Sequence, residues 1–212
     1  MASPANSSFL RFSSLLIASF AVVQIAMAGD PDILTDFLVP PNVTKVDGNF
    51  FTFTGMRDLI TSPAPTTFKS LKATVGEFPA LNGQSVAYAV LQYPNGTANP
   101  PHIHPRAAEL LFLVDGTLQV GFVDTTNKLF TQTLQVGDMF IFPKGLVHFQ
   151  YNPEERIFAT AISSFGSANP GLESLPTTLF STGIDDNILA KAFKTDVTTI
   201  QKLKAGLAPP KA

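Results

Sequence analysis

The chain of 212 residues contains no cysteine and no tryptophan. Without thiols it has no disulfide framework, no thiol nucleophile and no cysteine-ligated zinc or iron–sulfur centre. Charge is scarce, with Asp, Glu, Lys and Arg at 14% against about 25% in an average soluble protein. Hydrophobic residues reach 45% and include 19 Phe, which supplies a core and excludes an intrinsically disordered chain. A net charge of -2 offers no basic surface for nucleic acid. Histidine is rare too. His102, His104 and His148 are almost the whole stock of side chains that titrate near neutrality.

Residues 1–28 read as a secretory signal peptide. Arg11 is the only charge before Asp30, and Leu15 to Ile25 is apolar except for Ser19 and Gln24. Ala26-Met27-Ala28 has the small-x-small pattern of a cleavage site. The apolar run is short for a membrane span, and no second long one follows. Removal of the segment leaves 184 residues with 13 basic and 16 acidic side chains. An exported chain without disulfides draws its stability from its core, a metal or oligomerisation. Asn42-Val43-Thr44 and Asn95-Gly96-Thr97 are glycosylation sequons.

The segment 29–80 reads as an irregular N-terminal arm, rich in turn signals such as Pro40-Pro41 and Ser62-Pro63-Ala64-Pro65. A β domain follows over 81–180. Short β-type runs occupy Ser85–Tyr93, Ala108–Val114, Thr117–Val123, Leu129–Val136, Met139–Phe142, Val147–Tyr151 and Ile157–Ser163. Their regular spacing predicts an all-β antiparallel sandwich or barrel. Asp115-Gly116 carries a tight-hairpin signal, and Asp124–Lys128 reads as a polar turn. The period changes in 181–212. One helix is expected around Ile188, Leu189, Ala192 and Phe193, and another, capped by Thr195 or Asp196, presents Val197, Ile200, Leu203 and Leu207. Each is marginal alone and needs a packing partner, for which a neighbouring subunit is a reasonable candidate.

His102-Ile103-His104 puts two imidazoles on one face of an extended strand. Glu109 lies in the apolar run Ala107–Phe112, where an unpaired carboxylate would be expensive. His148 follows about 40 residues later, at a distance that antiparallel strands readily close. Three imidazoles and one carboxylate form a ligand set for Mn, Fe, Ni, Cu or Zn, and an octahedral ion would keep two positions for water or substrate. Asp115, Asp124 and Asp138 read as turn residues.

The spacing Gly96-x5-His102-x-His104-x4-Glu109-x6-Gly116 resembles the first cupin motif. Gly137-x5-Pro143-x-Gly145-x2-His148-x3-Asn152 resembles the second. Pro100-Pro101-His102-Ile103-His104-Pro105-Arg106-Ala107 and Gly145-Leu146-Val147-His148-Phe149-Gln150 are similar to plant germins and germin-like proteins. So are Asp30-Pro31-Asp32, Ser163-Ser164, Asn169-Pro170-Gly171 and the two tail helices. The resemblance covers essentially the whole chain after the signal. It implies a single jelly-roll cupin barrel with C-terminal α-helices, with manganese held by His102, His104, Glu109 and His148. It further implies homo-oligomers in which trimers stack into a hexamer (a trimer of dimers), and a place in the extracellular apoplast or cell wall. Oxalate oxidase and superoxide dismutase are family activities, and some members have only a defence or stress association. Asn152 reads as a structural turn residue.

Two departures from the family stand out. Germins typically carry a disulfide in the N-terminal arm. Here Asp36-Phe37-Leu38-Val39 has leucine at one cysteine position, and Gly48–Phe53 has no thiol, so extra Phe residues are expected to pin the arm. Oxalate-oxidising germins resemble this chain at Asn99 but place a substrate-contacting asparagine ten positions earlier, where this chain has Ala89. Loss of that partner disfavours oxalate. Two readings remain: a manganese redox enzyme acting on a small substrate such as superoxide, or a non-enzymatic metal-binding storage or receptor protein of the cell wall. Both leave the three histidines committed to one metal site.

Overall fold

The computed structural model describes residues 29–207, and the signal peptide expected over 1–28 lies outside the described residues. The seven β-type runs form strands, and three segments outside those runs add the first, third and tenth. They are β1 (Lys69–Ala73), β2 (Ala87–Tyr93), β3 (Ala98–Ile103), β4 (Glu109–Asp115), β5 (Leu118–Val123), β6 (Leu129–Leu134), β7 (Met139–Phe142), β8 (His148–Tyr151), β9 (Ala159–Phe165) and β10 (Glu173–Ser174). Two five-stranded sheets result, ordered β1-β2-β9-β4-β7 and β10-β3-β8-β5-β6, with every pairing antiparallel. The fold is therefore an all-β jelly roll, as expected.

Period-2 alternation sets which side chains enter the core. Leu111 and Leu113 of β4, Leu118 and Val120 of β5, and Ala159 and Ala161 of β9 are fully buried between the sheets. The alternate residues of β4 are apolar as well and point outward. Leu110, Phe112 and Val114 are 37–40% exposed, and the register sets Leu110 opposite Ile141 and Phe112 opposite Met139.

Two local expectations change, at Asp115-Gly116 and at the start of the sheet, while the turn read at Asp124–Lys128 holds. Asp115-Gly116 does not close a hairpin. β4 and β5 belong to different sheets, so the glycine turns a corner between them. Gly116 takes φ +79°, and a Cβ there would lie 2.5 Å from the Phe158 carbonyl oxygen. Asp124 makes the true hairpin between β5 and β6, its Oδ1 accepting from Thr126 N (2.8 Å) and Lys128 N (2.9 Å). Finally, β1 lies within the segment read as arm. It pairs along β2 from Lys69↔Gln92 to Ala73↔Tyr88, so the sheet begins before residue 81.

In the rest of the arm aromatic side chains pack on one another, and Asp30 ties it to the barrel by accepting from Ser167 Oγ (2.6 Å) and Ala168 N (2.7 Å). Phe51 meets Phe37 edge-on at 5.1 Å and Phe50 at 4.9 Å. Phe53 stacks on Phe78 at 5.5 Å. The Phe37–Phe51 contact joins the two segments that the family resemblance marks for a disulfide. Each aromatic pair contributes about 0.5–1.5 kcal/mol beyond area burial. Replacing Phe50 and Phe51 together by alanine is expected to lower the melting temperature, and an unchanged thermal denaturation curve would reject this pinning role.

After the one-turn helix α1 (Asp58–Thr61) in the arm come α2 (Leu175–Phe180), α3 (Asp186–Ala192) and α4 (Val197–Leu207). Neither α1 nor α2 was expected, since the first lies in the segment read as an irregular arm and the second in the segment read as β domain. Asp185 caps α3 by accepting from Asn187 N and Ile188 N, and Asp196 Oδ1 caps α4 by accepting from Thr199 N. Leu189, Ala190 and Ile200 form a small core with Phe180, Ile184 and Val197. Lys204 ties the start of α3 to α4 through Asp186 (2.6 Å). These helices thus pack on one another, while Ile188 (61%) and Phe193 (50%) remain exposed.

Candidate metal centre

The barrel topology gathers the three histidines and the glutamate at one place. His102, next to last in β3, faces His148, which begins β8, as direct register partners. A register shift between Asn99 and His102 bends β3 just before the site. Glu109 opens β4, in the opposite sheet, and His104 lies in the connection between β3 and β4. All four residues are buried, and their ligand atoms lie within 4.8 Å of one another.

Backbone carbonyls orient the imidazoles. Nδ1 of His102 lies 2.8 Å from Pro100 O, Nδ1 of His148 is 2.8 Å from Leu146 O, and Nδ1 of His104 is 2.5 Å from Gly171 O. With Nδ1–H donated to each carbonyl, Nε2 is the atom that would give its electron pair to a bound ion, the arrangement usual for a metal-binding histidine. Glu109 is held in the same manner. Its Oε1 accepts from Ser163 Oγ at 2.6 Å and Gln150 Nε2 at 3.4 Å. Its Oε2 lies 3.1 Å from His104 Nε2 and 3.2 Å from His148 Nε2. A nitrogen and oxygen donor set of this convergence fits a divalent transition metal.

Electrostatics keep His102 and Glu109 in binding form. Burial pushes the His102 imidazole down to about 4, with the His148 imidazole acting in the same direction, so His102 is neutral at pH 7. Burial alone would raise the Glu109 carboxyl. In the metal-free protein Nε2–H groups of His104 and His148 donate to it, outweigh burial and hold the group well below the usual carboxylate range, so Glu109 is ionised, and a bound ion would take the place of those protons.

A cavity of about 450 Å³ opens onto this group. His102, His104 and Glu109 lie at its walls, as does Asn99, whose Nδ2 donates to Gln150 Oε1 at 2.8 Å. Asn99 and Ala89 both line it, so the position where the resemblance substitutes alanine for asparagine is on the cavity wall. Asn152 stands apart. It is fully buried, and its Nδ2 donates to Tyr93 O (3.0 Å) and Ile157 O (2.7 Å), which makes it a turn clamp as expected.

The cupin family matches over residues 64–201. Germin-like protein 9-3 of Oryza sativa subsp. japonica is 61% identical, over 97% of this chain and 98% of that one. This chain is a germin-like member of the cupin family. Germin-like protein subfamily 2 member 1 of Arabidopsis thaliana is 39% identical, over 93% of this chain and 96% of that one. Among solved structures, one of oxalate oxidase superposes with a TM-score of 0.74 at 31% identity, covering 86% of this chain and 100% of that chain. Peruvianin-I, from Thevetia peruviana latex, gives a TM-score of 0.62 at 28% identity, covering 69% of this chain and 98% of that one.

In this germin-like protein the partners of Glu109 escape a purely sequence-based search. Gln150 does carry a signal, since it sits two residues after His148 and so shares its strand face. Ser163 breaks the inward apolar series Ala159, Ala161, Phe165 of β9. The Gly171 carbonyl has no such signal. One further buried polar group, the Tyr93 hydroxyl, has no hydrogen-bond partner among the described residues, and burial raises its titration well above the ordinary tyrosine range. A buried unpaired hydroxyl costs about 1–3 kcal/mol. Tyr93→Phe is therefore expected to raise the denaturation midpoint, and a drop in stability would contradict an unpaired hydroxyl.

Proposed function

We propose that this germin-like protein is a secreted, manganese-binding protein of the plant apoplast or cell wall with superoxide dismutase-type redox activity. The observation that carries this reading is the set of four buried donors, turned toward one another and reached from solvent by a cavity. His102, His104, Glu109 and His148 would hold the ion. When bound, manganese supplies two oxidation states and exchangeable coordination positions. The chain's own contribution is orientation and charge. The Pro100, Leu146 and Gly171 carbonyls fix the ring tautomers. Glu109 offsets part of the metal's charge, and Ser163 and Gln150 keep its carboxylate aimed.

Oxalate oxidation fits less well. A dicarboxylate needs fixed polar partners, and Ala89 provides none, while the Asn99 amide already donates to Gln150. A non-enzymatic storage or receptor role uses the same metal group. Superoxide consumption by metal-replete protein, compared with a His104→Ala variant, separates the two. The enzyme reading expects the variant to fall to background, and equal rates in both would sink it.

A homo-oligomer, expected to be a hexamer, suits the apolar outer face of the first sheet, where Leu110, Phe112, Met139 and Ile141 sit side by side. Export through the secretory route agrees with the exposed sequon residues Asn42 and Asn95. Among the described residues no helix is long and apolar enough to cross a membrane.

A further inference from the structure

We propose that Asp30 and Arg106 are positioning residues of the metal centre, acting on His104 through the strap 166–172 that joins β9 to β10. This role rests on the metal reading of His102, His104, Glu109 and His148.

The three imidazoles are not oriented alike. The carbonyls that face His102 and His148 belong to Pro100 and Leu146, each two residues back in the same segment. The carbonyl that faces His104 is that of Gly171, 67 positions away. His104 also lies between β3 and β4, where no strand pairing holds its backbone, although its own carbonyl accepts from Gly145 N at 3.1 Å. Its ring meets Phe165, the last residue of β9, edge-on at 4.8 Å. The direction of this one ligand therefore depends on where the strap puts Gly171.

The strap is gripped at two places. In its first half, Asp30 Oδ1 accepts from Ser167 Oγ (2.6 Å) and Oδ2 from Ala168 N (2.7 Å). Ser167 Oγ accepts in turn from Asn169 N (3.0 Å), and Ala168 O accepts from Val75 N (2.8 Å). In its second half, Arg106 Nε donates to Asn169 O (2.6 Å) and Nη2 to Asn169 Oδ1 (2.7 Å). The Arg106 backbone N–H also donates to Pro170 O at 3.1 Å. Gly171 follows with φ +71°, and a Cβ there would lie 2.9 Å from Arg106 Nη2 and 3.0 Å from Pro105 Cγ. Hydrogen bonds to ionised groups are shorter and stronger than neutral ones, so two such clamps leave the Gly171 carbonyl little freedom.

Asp30 belongs to the N-terminal arm. The arm is thereby part of the metal centre rather than a wrapping around the barrel. Among the described residues Asp30 makes no hydrogen bond to any of the four ligands, so its effect on the metal passes through the strap alone. Arg106 is close to His104 in the chain and reaches it by the strap and by the local backbone together.

The test uses the full mature chain and manganese alone as the probe. Isothermal titration, run well below each melting temperature, gives the affinity, and electron paramagnetic resonance reports the environment of the bound ion. Loss of a partner that orients a metal ligand costs about 10–100-fold in affinity, so Asp30→Ala, one link further out, is expected to cost about three- to tenfold. The line shape of the bound ion should change with it. Asp30→Asn keeps one acceptor oxygen and should lose less, which also serves if the alanine variant folds poorly. Arg106→Lys keeps the charge but not the fork, and should weaken manganese as well. The Phe50→Ala/Phe51→Ala chain is the control for general destabilisation of the arm. It should melt earlier yet keep wild-type affinity and line shape. Wild-type affinity in Asp30→Ala, or an equal loss in the phenylalanine control, would overturn the positioning role while leaving the metal reading intact. A wild-type chain that takes up no manganese overturns the metal reading, and the positioning role with it.

Discussion

A His148→Ala chain is expected to keep its barrel and lose its metal. His148 supplies one of four buried donors, and its Nε2 lies 3.2 Å from Glu109 Oε2. Its ring also stacks on Phe142 at 4.6 Å and faces His102 across the β3–β8 pairing. Even loss of an outer partner of a metal ligand costs about 10–100-fold in affinity, so removal of a donor should exceed about 100-fold. The truncation also removes a buried ring and one partner of an ionised carboxylate, which predicts a loss of about 2–4 kcal/mol in the metal-free protein. Metal content of protein prepared in parallel with wild type, together with isothermal titration of manganese, checks the first effect, and chemical denaturation checks the second. Wild-type metal content in the variant would remove His148 from the ligand set. Glu109→Gln separates charge from shape. It fills the same space, so affinity should fall with a much smaller loss of stability.

Acid is expected to produce the second large effect. In the folded, metal-free protein His102 titrates at about 4, because burial and the neighbouring His148 oppose its charged form. In the unfolded chain it titrates near 6.5. Between these values the unfolded state binds the proton and the folded state does not, so stability falls as pH drops through this window. At about 1.4 kcal/mol per unit, the loss approaches about 3 kcal/mol by pH 4. Glu109 works in the same direction at lower pH. Its carboxyl is depressed in the fold, so its contribution is complete above the unfolded value of 4.5 and declines as pH falls below it. Denaturation midpoints of metal-free protein from pH 7.5 to 4 should therefore decline from about pH 6.5 downward. A His102→Gln variant should show a flatter profile, and a flat wild-type profile would contradict a neutral buried His102. Because protons compete for the same nitrogens and carboxylate, loaded protein should release its ion over the same acidic range.

The ligand group was legible in the sequence because metal binding imposes spacing. The i, i+2 histidines needed only an extended backbone to share a face, and Glu109 announced itself as a carboxylate inside an apolar run. The strands were legible through their alternation, and both tail helices through their apolar period and their Asp185 and Asp196 caps. What escaped depends on contacts between distant segments. Asp115-Gly116 has the local chemistry of a hairpin, yet whether β5 returns along β4 or crosses to the other sheet is decided by which partners cover each edge. β1 was hidden because its Lys69, Ser70 and Lys72 face outward or toward the cavity mouth, leaving little apolar pattern to read. The Gly171 carbonyl reaches His104 across 67 positions, a relation with no trace in either segment.

The Phe37–Phe51 contact has a consequence for where and how this chain can fold. A covalent staple in the arm would couple maturation to an oxidising lumen and to its thiol-exchange catalysts. Ring-on-ring contact forms by collapse alone, so folding here is uncoupled from redox poise. Folding should therefore need no oxidising compartment, and the chain should refold at the same yield with or without dithiothreitol. Oxidants in its surroundings find no thiol to attack and no disulfide to exchange.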